Sequence, residues 1–92
     1  MYLINITVND DITAVEHEAL FTRHASWFQR YFNAGIFVLI GPYSDRERAG
    51  VIIAQSASRE ELENILSEDP YYPGLAQYEI REFIPKRVGS WQ

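Results

Sequence analysis

Tyr2, Ile4, Ile6 and Val8 alternate with Asn5, Thr7 and Asn9. That two-residue period predicts a half-buried strand. Asn9-Asp10-Asp11 closes it and offers turn and N-cap chemistry. From about Ala14 to Ala34 the apolar positions change to helical spacing, with Leu20, Trp27, Phe28, Tyr31 and Phe32 as markers. Gly35 stands where a helix ends in a left-handed residue. Phe37-Val38-Leu39-Ile40 predicts a second strand, closed by Gly41-Pro42. Ser44 to Gly50 reads as a polar hairpin loop, and Val51 to Ala54 as the returning strand. Ser58-Arg59-Glu60-Glu61 has the form of a capping box and opens a short helix with Leu62, Ile65 and Leu66 as its apolar stripe. Asp69-Pro70 ends that helix, a loop carries Pro73-Gly74, and Tyr78 to Ile84 predicts a last strand stopped by Pro85.

The order is βαββαβ. It predicts an α+β, ferredoxin-like fold: a four-stranded antiparallel sheet with two helices on one face. The second and third strands are apolar on both faces. Alternation puts Ile36, Val38 and Ile40 on one face and Phe37 and Leu39 on the other, with Val51 and Ile53 opposite Ile52 and Ala54. Two helices cover only one face. We therefore expect a homodimer through the open sheet face, with Trp91 a plausible anchor onto the partner. The alternative is a monomer with an exposed apolar patch.

Composition narrows the function. The chain has 92 residues, which allow a single domain over 1–92. Apolar residues make up 47% and charged residues 23%, a globular balance rather than a disordered one. There is no cysteine, so neither a disulfide nor a thiolate metal site is available. The net charge of −5, with no basic stretch, argues against nucleic acid and against an anionic membrane surface. The start of the chain lacks the pattern of a secretory signal, and the apolar run from Ile36 to Ile40 is too short to span a bilayer. The expectation is a soluble, cytoplasmic protein.

His24 carries the most information. Leu20 and Phe28 lie four residues to either side, with Trp27 at i+3 and Tyr31 at i+7, so the imidazole sits mid-stripe. A histidine there must find a hydrogen-bond partner. It is either a core residue satisfied by a backbone carbonyl or a catalytic group. Asp69 is the natural partner, since both helices share one face of the sheet. Its competing reading is an ordinary turn starter before proline. His17 falls near the same face as a rim histidine. His17-Glu18 begins like a zinc-protease helix, but Phe21 stands where the second histidine belongs. Two histidines without a third convergent ligand make a poor zinc site, so no metal is expected. The chain has no G-x-S-x-G elbow and no phosphate-binding glycine loop. Tyr71 and Tyr72 fall in a loop, where they line a pocket mouth or simply pack on the surface.

Several short motifs resemble one family. Arg23-His24-Ala25-Ser26-Trp27-Phe28 resembles its H-L-x-Y-L helix segment, and Ala34-Gly35 and Gly41-Pro42 follow at its usual distances. Ser58-Arg59-Glu60-Glu61 and Asp69-Pro70-Tyr71 resemble its S-x-E-E … D-P-[YF] pattern, and Glu79 to Phe83 its closing strand. The chain resembles the YCII-related (YciI-like) proteins over nearly its whole length. The resemblance implies a dimeric, ferredoxin-like protein of the dimeric α/β-barrel type, with a His/Asp pair as catalytic site. Those positions are His24 and Asp69. A related dehydrochlorinase acts on a chlorinated hydroxyhydroquinone, which implies acid–base chemistry on small ring compounds. Two positions depart from the family: Phe21 replaces a common arginine three residues before the histidine, and Pro73-Gly74 replaces Ala-Gly.

The expected function is a cofactor-free enzyme of lyase, dehydrochlorinase or isomerase type. His24 would be general acid or base, Asp69 would orient it, and Trp27, Gly41, Pro42 and Tyr71 would form the substrate pocket. The alternative is a non-catalytic small-molecule-binding or accessory module that uses the same pocket. A cofactor-free oxygenase of the same architecture is a third reading, but no residue points to oxygen chemistry.

Overall fold

The computed structural model describes residues 1–90; Trp91, the expected dimer anchor, lies outside the described residues. The elements are β1 (Tyr2–Val8), α1 (Ala14–Asn33), β2 (Phe37–Pro42), β3 (Ala49–Ala54), α2 (Arg59–Leu66) and β4 (Ala76–Glu82). They form one antiparallel sheet in the order β2-β3-β1-β4. This is the ferredoxin-like βαββαβ arrangement.

The alternation of β1 does what its period dictates. Tyr2, Ile4, Ile6 and Val8 are buried, while Leu3, Asn5 and Thr7 are half-buried. The buried set joins Ile52 and Ala54 of β3 and Ala76 of β4. Against this face lie Trp27 of α1 and Leu62, Ile65 and Leu66 of α2. A fully buried aliphatic side chain such as Ile4 or Leu62 contributes about 1.5–3 kcal/mol, so this layer carries most of the stability of a small domain.

Helix caps follow local chemistry. Thr13, rather than Asp10 or Asp11, caps α1: its hydroxyl accepts the Glu16 N–H at 3.2 Å and donates to the Glu16 carboxylate at 2.9 Å. Thr-x-x-Glu is itself a capping pattern, and it sits where the helical period begins. Gly35, at φ +80°, ends α1 as expected. Ser58 caps α2 by accepting the Glu61 N–H at 3.1 Å, but the Glu61 carboxylate takes a bond from Ser56 at 2.9 Å instead of closing the box.

Four strand boundaries differ from the pattern-based ones. β3 begins at Ala49 rather than Val51, because Thr7 and Ile6 of β1 pair with Ala49 and Gly50. β2 continues through Gly41-Pro42, whose partners are Val51 and Gly50. Pro42 is tolerated because β2 is an edge strand. β4 spans Ala76 to Glu82 because β1 sets its register: Val8 opposes Ala76 and Tyr2 opposes Glu82. Beyond Glu82, β1 offers only the Met1 carbonyl, which accepts from the Phe83 N–H. β2 also carries a register irregularity at Val38, so Phe37 pairs with Ala54 while Ile40 pairs with Ile52. Phe37 and Ile40 therefore share the helix-covered face, and Leu39, opposite Ile53, lies on the open face. Strict alternation had Phe37 with Leu39; the bulge is what changes the phase.

Gly50 faces the β2 backbone so closely that a Cβ would stand 2.8 Å from the Gly41 carbonyl oxygen. Gly50→Ala must push the two strands apart. Urea unfolding should show a loss of about 1–3 kcal/mol, whereas Gly74→Ala, with open space around it, should be close to neutral.

Candidate active site

One stripe of α1 builds a wall of rings. His17, Phe21, His24 and Phe28 recur at steps of four, three and four, the spacing that stacks side chains along a helix. Phe21 lies 5.8 Å and Phe28 5.4 Å from the His24 ring. Behind His24 sits Trp27, ring to ring at 5.4 Å. The Trp27 indole N–H donates to the Ile65 carbonyl at 2.9 Å, which ties α1 to the last turn of α2.

That tie fixes the place of Asp69, three residues beyond the end of α2. Asp69 is 2% exposed. Its Oδ1 accepts from His24 Nδ1 at 2.7 Å, and its Oδ2 accepts from the Tyr78 hydroxyl of β4, also at 2.7 Å. The Tyr71 N–H adds a longer contact to Oδ1 at 3.4 Å. Asp69 also starts a turn, since its carbonyl accepts from the Tyr72 N–H at 2.9 Å with Pro70 between. Turn starter and histidine partner are thus one residue. With Nδ1–H committed to the carboxylate, the hydrogen-bond pattern assigns the neutral imidazole its lone pair at Nε2. Nε2 has no hydrogen-bond partner among the described residues, and no buried side-chain nitrogen or oxygen there lacks one, so Nε2 is solvent-accessible.

The ring wall faces a cavity of about 520 Å³, a volume suited to a small molecule. Its other wall is the β2–β3 hairpin, with Ile40, Gly41, Pro42 and Tyr43 from one side and Arg48 to Ile52 from the other. His17, His24 and Tyr71 all line it. Tyr71 packs edge-on to His24 at 5.3 Å, and its hydroxyl is hydrogen-bonded to His17 Nδ1 at 2.8 Å. Of the positions expected in the pocket, Gly41, Pro42 and Tyr71 line the cavity. Trp27 does not: it is 4% exposed and supports the His24 ring from behind.

Pattern reasoning missed Tyr78, Arg48 and the pocket roles of Phe21 and Ile40. Tyr78 was accessible in principle, since it lies on the same β4 face as Ala76 and Ile80 and so points toward the helices. Arg48 gave no such signal; a charged residue at a hairpin tip ordinarily faces water. Among the described residues no three His, Asp or Glu side chains converge.

The YCII-related domain family model matches residues 1–84. The chain belongs to the YCII-related family. Among solved structures, this YCII-related chain is similar to 5-chloro-2-hydroxyhydroquinone dehydrochlorinase from Burkholderia phenoliruptrix AC1100, solved in complex with 2,5-dihydroxybenzoquinone. The TM-score is 0.70 at 12% identity, covering 91% of this chain and 94% of that one. At that identity the likeness is one of fold. No curated protein matches the chain. No helix among the described residues is long and apolar enough to cross a membrane.

Electrostatics in the YCII-related site differ from group to group. Burial and the hydrogen bond to Asp69 hold the Tyr78 hydroxyl in its protonated form, its pKa far above the usual phenol range. Burial and the Asp69 charge also raise Tyr71, against an opposing pull from Arg48. Burial, the Arg48 guanidinium and His24 together hold the His17 imidazole below its ordinary 6.5. The sign follows by linkage. Above about 6.5 both folded and unfolded chains carry neutral His17. As the pH falls, the unfolded chain takes up the proton first, and stability declines down through the native pKa. Urea unfolding across that range should show a shallower acid loss in His17→Gln than in the wild type.

Proposed function

We propose that this protein is an acid–base enzyme of lyase or isomerase type acting on a small ring compound, with His24 and Asp69 as its catalytic pair. The observation that carries this reading is the 2.7 Å bond between His24 Nδ1 and a carboxylate that is itself fully buried and fixed by Tyr78. Asp69 orients the ring and stabilises the imidazolium, and Nε2 takes a proton from a substrate hydroxyl or ring carbon. The electron pair released moves into the ring and expels a leaving group with its own bonding pair, so no electrons pass to or from the protein. His24 then returns the proton to solvent or product. Phe21 and Phe28 supply flat apolar surface beside the His24 ring, and Gly41, Pro42 and Tyr71 complete the pocket. This residue set asks for no cofactor. The dehydrochlorinase with the same fold acts on a chlorinated ring of this size, which supports the choice of reaction class.

The test is a screen of chlorinated hydroquinones for chloride release. His24→Ala should lower turnover by roughly 10²- to 10⁴-fold while changing substrate affinity little. Asp69→Asn should give a comparable loss through the wrong tautomer. If His24→Ala abolishes binding and no ring compound is ever turned over, the protein is a binding module and the enzymatic reading is wrong.

The working unit of this reading is a homodimer. Leu39, Val51, Ile53 and Leu3 form an apolar stretch on the sheet face that the helices leave uncovered. A second copy, face to face, is the economical cover. Light scattering should give twice the 10.7 kDa chain mass, and Ile53→Glu should return it to one chain mass. A wild type that runs as a single chain at micromolar concentration would rule the dimer out.

A further inference from the structure

Arg48 lines the cavity wall, and the proposed acid–base step gives it no task. It stands at the end of the hairpin loop with φ 53°, a left-handed conformation that a non-glycine residue adopts only at a cost. Glycine would sit there without strain, so what arginine adds is its side chain. The backbone already has a structural task, because the Arg48 carbonyl accepts from the Val8 N–H at 2.9 Å. The guanidinium turns inward, half-buried against the cavity. Its Nη1 donates to the Ile12 carbonyl at 2.8 Å, which fixes the group in place. Nε and Nη2 bond to no protein acceptor among the described residues.

The charge is unbalanced as well. Arg30, Arg59 and Arg81 each pair with a glutamate, but no carboxylate among the described residues pairs with Arg48. The chain carries an excess of acidic residues, 13 against 8, yet the cavity wall holds Arg46 and Arg48 against a single exposed, solvated Glu47. Asp69 does not change this, since its carboxylate lies behind His24 and is fully engaged. A half-buried fork with free donors, held rigid and facing an apolar cavity, matches a carboxylate or a ring-attached oxyanion. Arg48 is also close enough to act electrostatically on both His17 and Tyr71, the two groups that share the wall with His24.

We infer that Arg48 binds an anionic oxygen group of the ligand, so that the cavity selects ring compounds bearing a carboxylate or ring oxyanion and orients that group away from His24. This rests on the reading of the cavity as a small-ring site. Arg48 acts here as an orienting residue and takes no part in proton transfer.

The experiment compares two ligands of the same shape, 4-hydroxybenzoate and its neutral amide, 4-hydroxybenzamide, by NMR titration of the intact protein. The acid should bind the wild type roughly tenfold or more tightly than the amide. The preference should vanish in Arg48→Met and persist in Arg59→Gln, a charge-matched change at the exposed start of α2, outside the cavity lining. The acid, but not the amide, should also move the His17 pKa upward, because an anion beside Arg48 offsets the cation's effect on that ring. This last readout needs only the wild type and stands even if Arg48→Met fails to fold. Equal affinities with His24 and Phe28 resonances shifted by both ligands would overturn the role of Arg48 and leave the ring site intact. A preference that survives Arg48→Met would reduce the arginine to a backbone clip. Failure of both ligands to perturb His24 or Phe28 would overturn the ring site and this inference together.

Discussion

A carboxylate taken out of water is the constraint around which this domain is organised. Removing such an ion from solvent costs several kcal/mol unless donors replace its hydration. Asp69 finds them on two elements: the imidazole of α1 and the phenol of β4, with a longer contact from its own turn at Tyr71. All must be in place at once. The bond from Trp27 to the Ile65 carbonyl, and on the surface those from Arg30 and Tyr31 to Glu68, hold α1 against the end of α2 and so keep the donors within reach. A group that is costly to bury has thereby become the point where the two helices and the sheet agree on their positions.

Much of this was legible from residue order. β1 and α1 kept the boundaries that their periods dictated, because each has one face against the core; α2 stops at Leu66, three residues before Asp69-Pro70, where its apolar stripe runs out. Strand ends were less legible because they depend on partners: β4 begins at Ala76 only because Val8 is there to pair with it. His24 stood out as a polar residue inside an apolar stripe. Asp69 was ambiguous, as turn starter or as partner, and the ambiguity was real, since its backbone carbonyl serves the turn while its carboxylate serves the histidine. Tyr78 and Arg48 were hidden for different reasons. A tyrosine in a strand looks like packing, and an arginine in a hairpin looks like solubility; only the three-dimensional arrangement aims their polar ends at the site.

The cavity divides its tasks between two kinds of structure. The α1 wall is regular: its four rings follow from helical geometry, and their positions cannot be shifted one at a time. The hairpin wall is irregular. It joins β2 to β3 through a polar loop, pinned to the rest of the domain by the Arg48 backbone and side chain. Loops on rigid scaffolds are where proteins of one fold vary what they bind. On the proposed reading, reaction chemistry and ligand choice sit on different segments of the chain.

The bulge at Val38 has a consequence for reading relatives of this chain. Inside and outside are exchanged in β2 between Phe37 and Leu39, so a single extra or missing residue there reverses the meaning of every position after it. A sequence aligned through β2 without a gap would equate the cavity-lining Ile40 of this chain with a residue on the opposite side of the sheet in any relative whose strand runs straight. The two halves of β2 are better matched separately: Phe37 by its place after Gly35, and Ile40 by its distance to the Gly41-Pro42 pair.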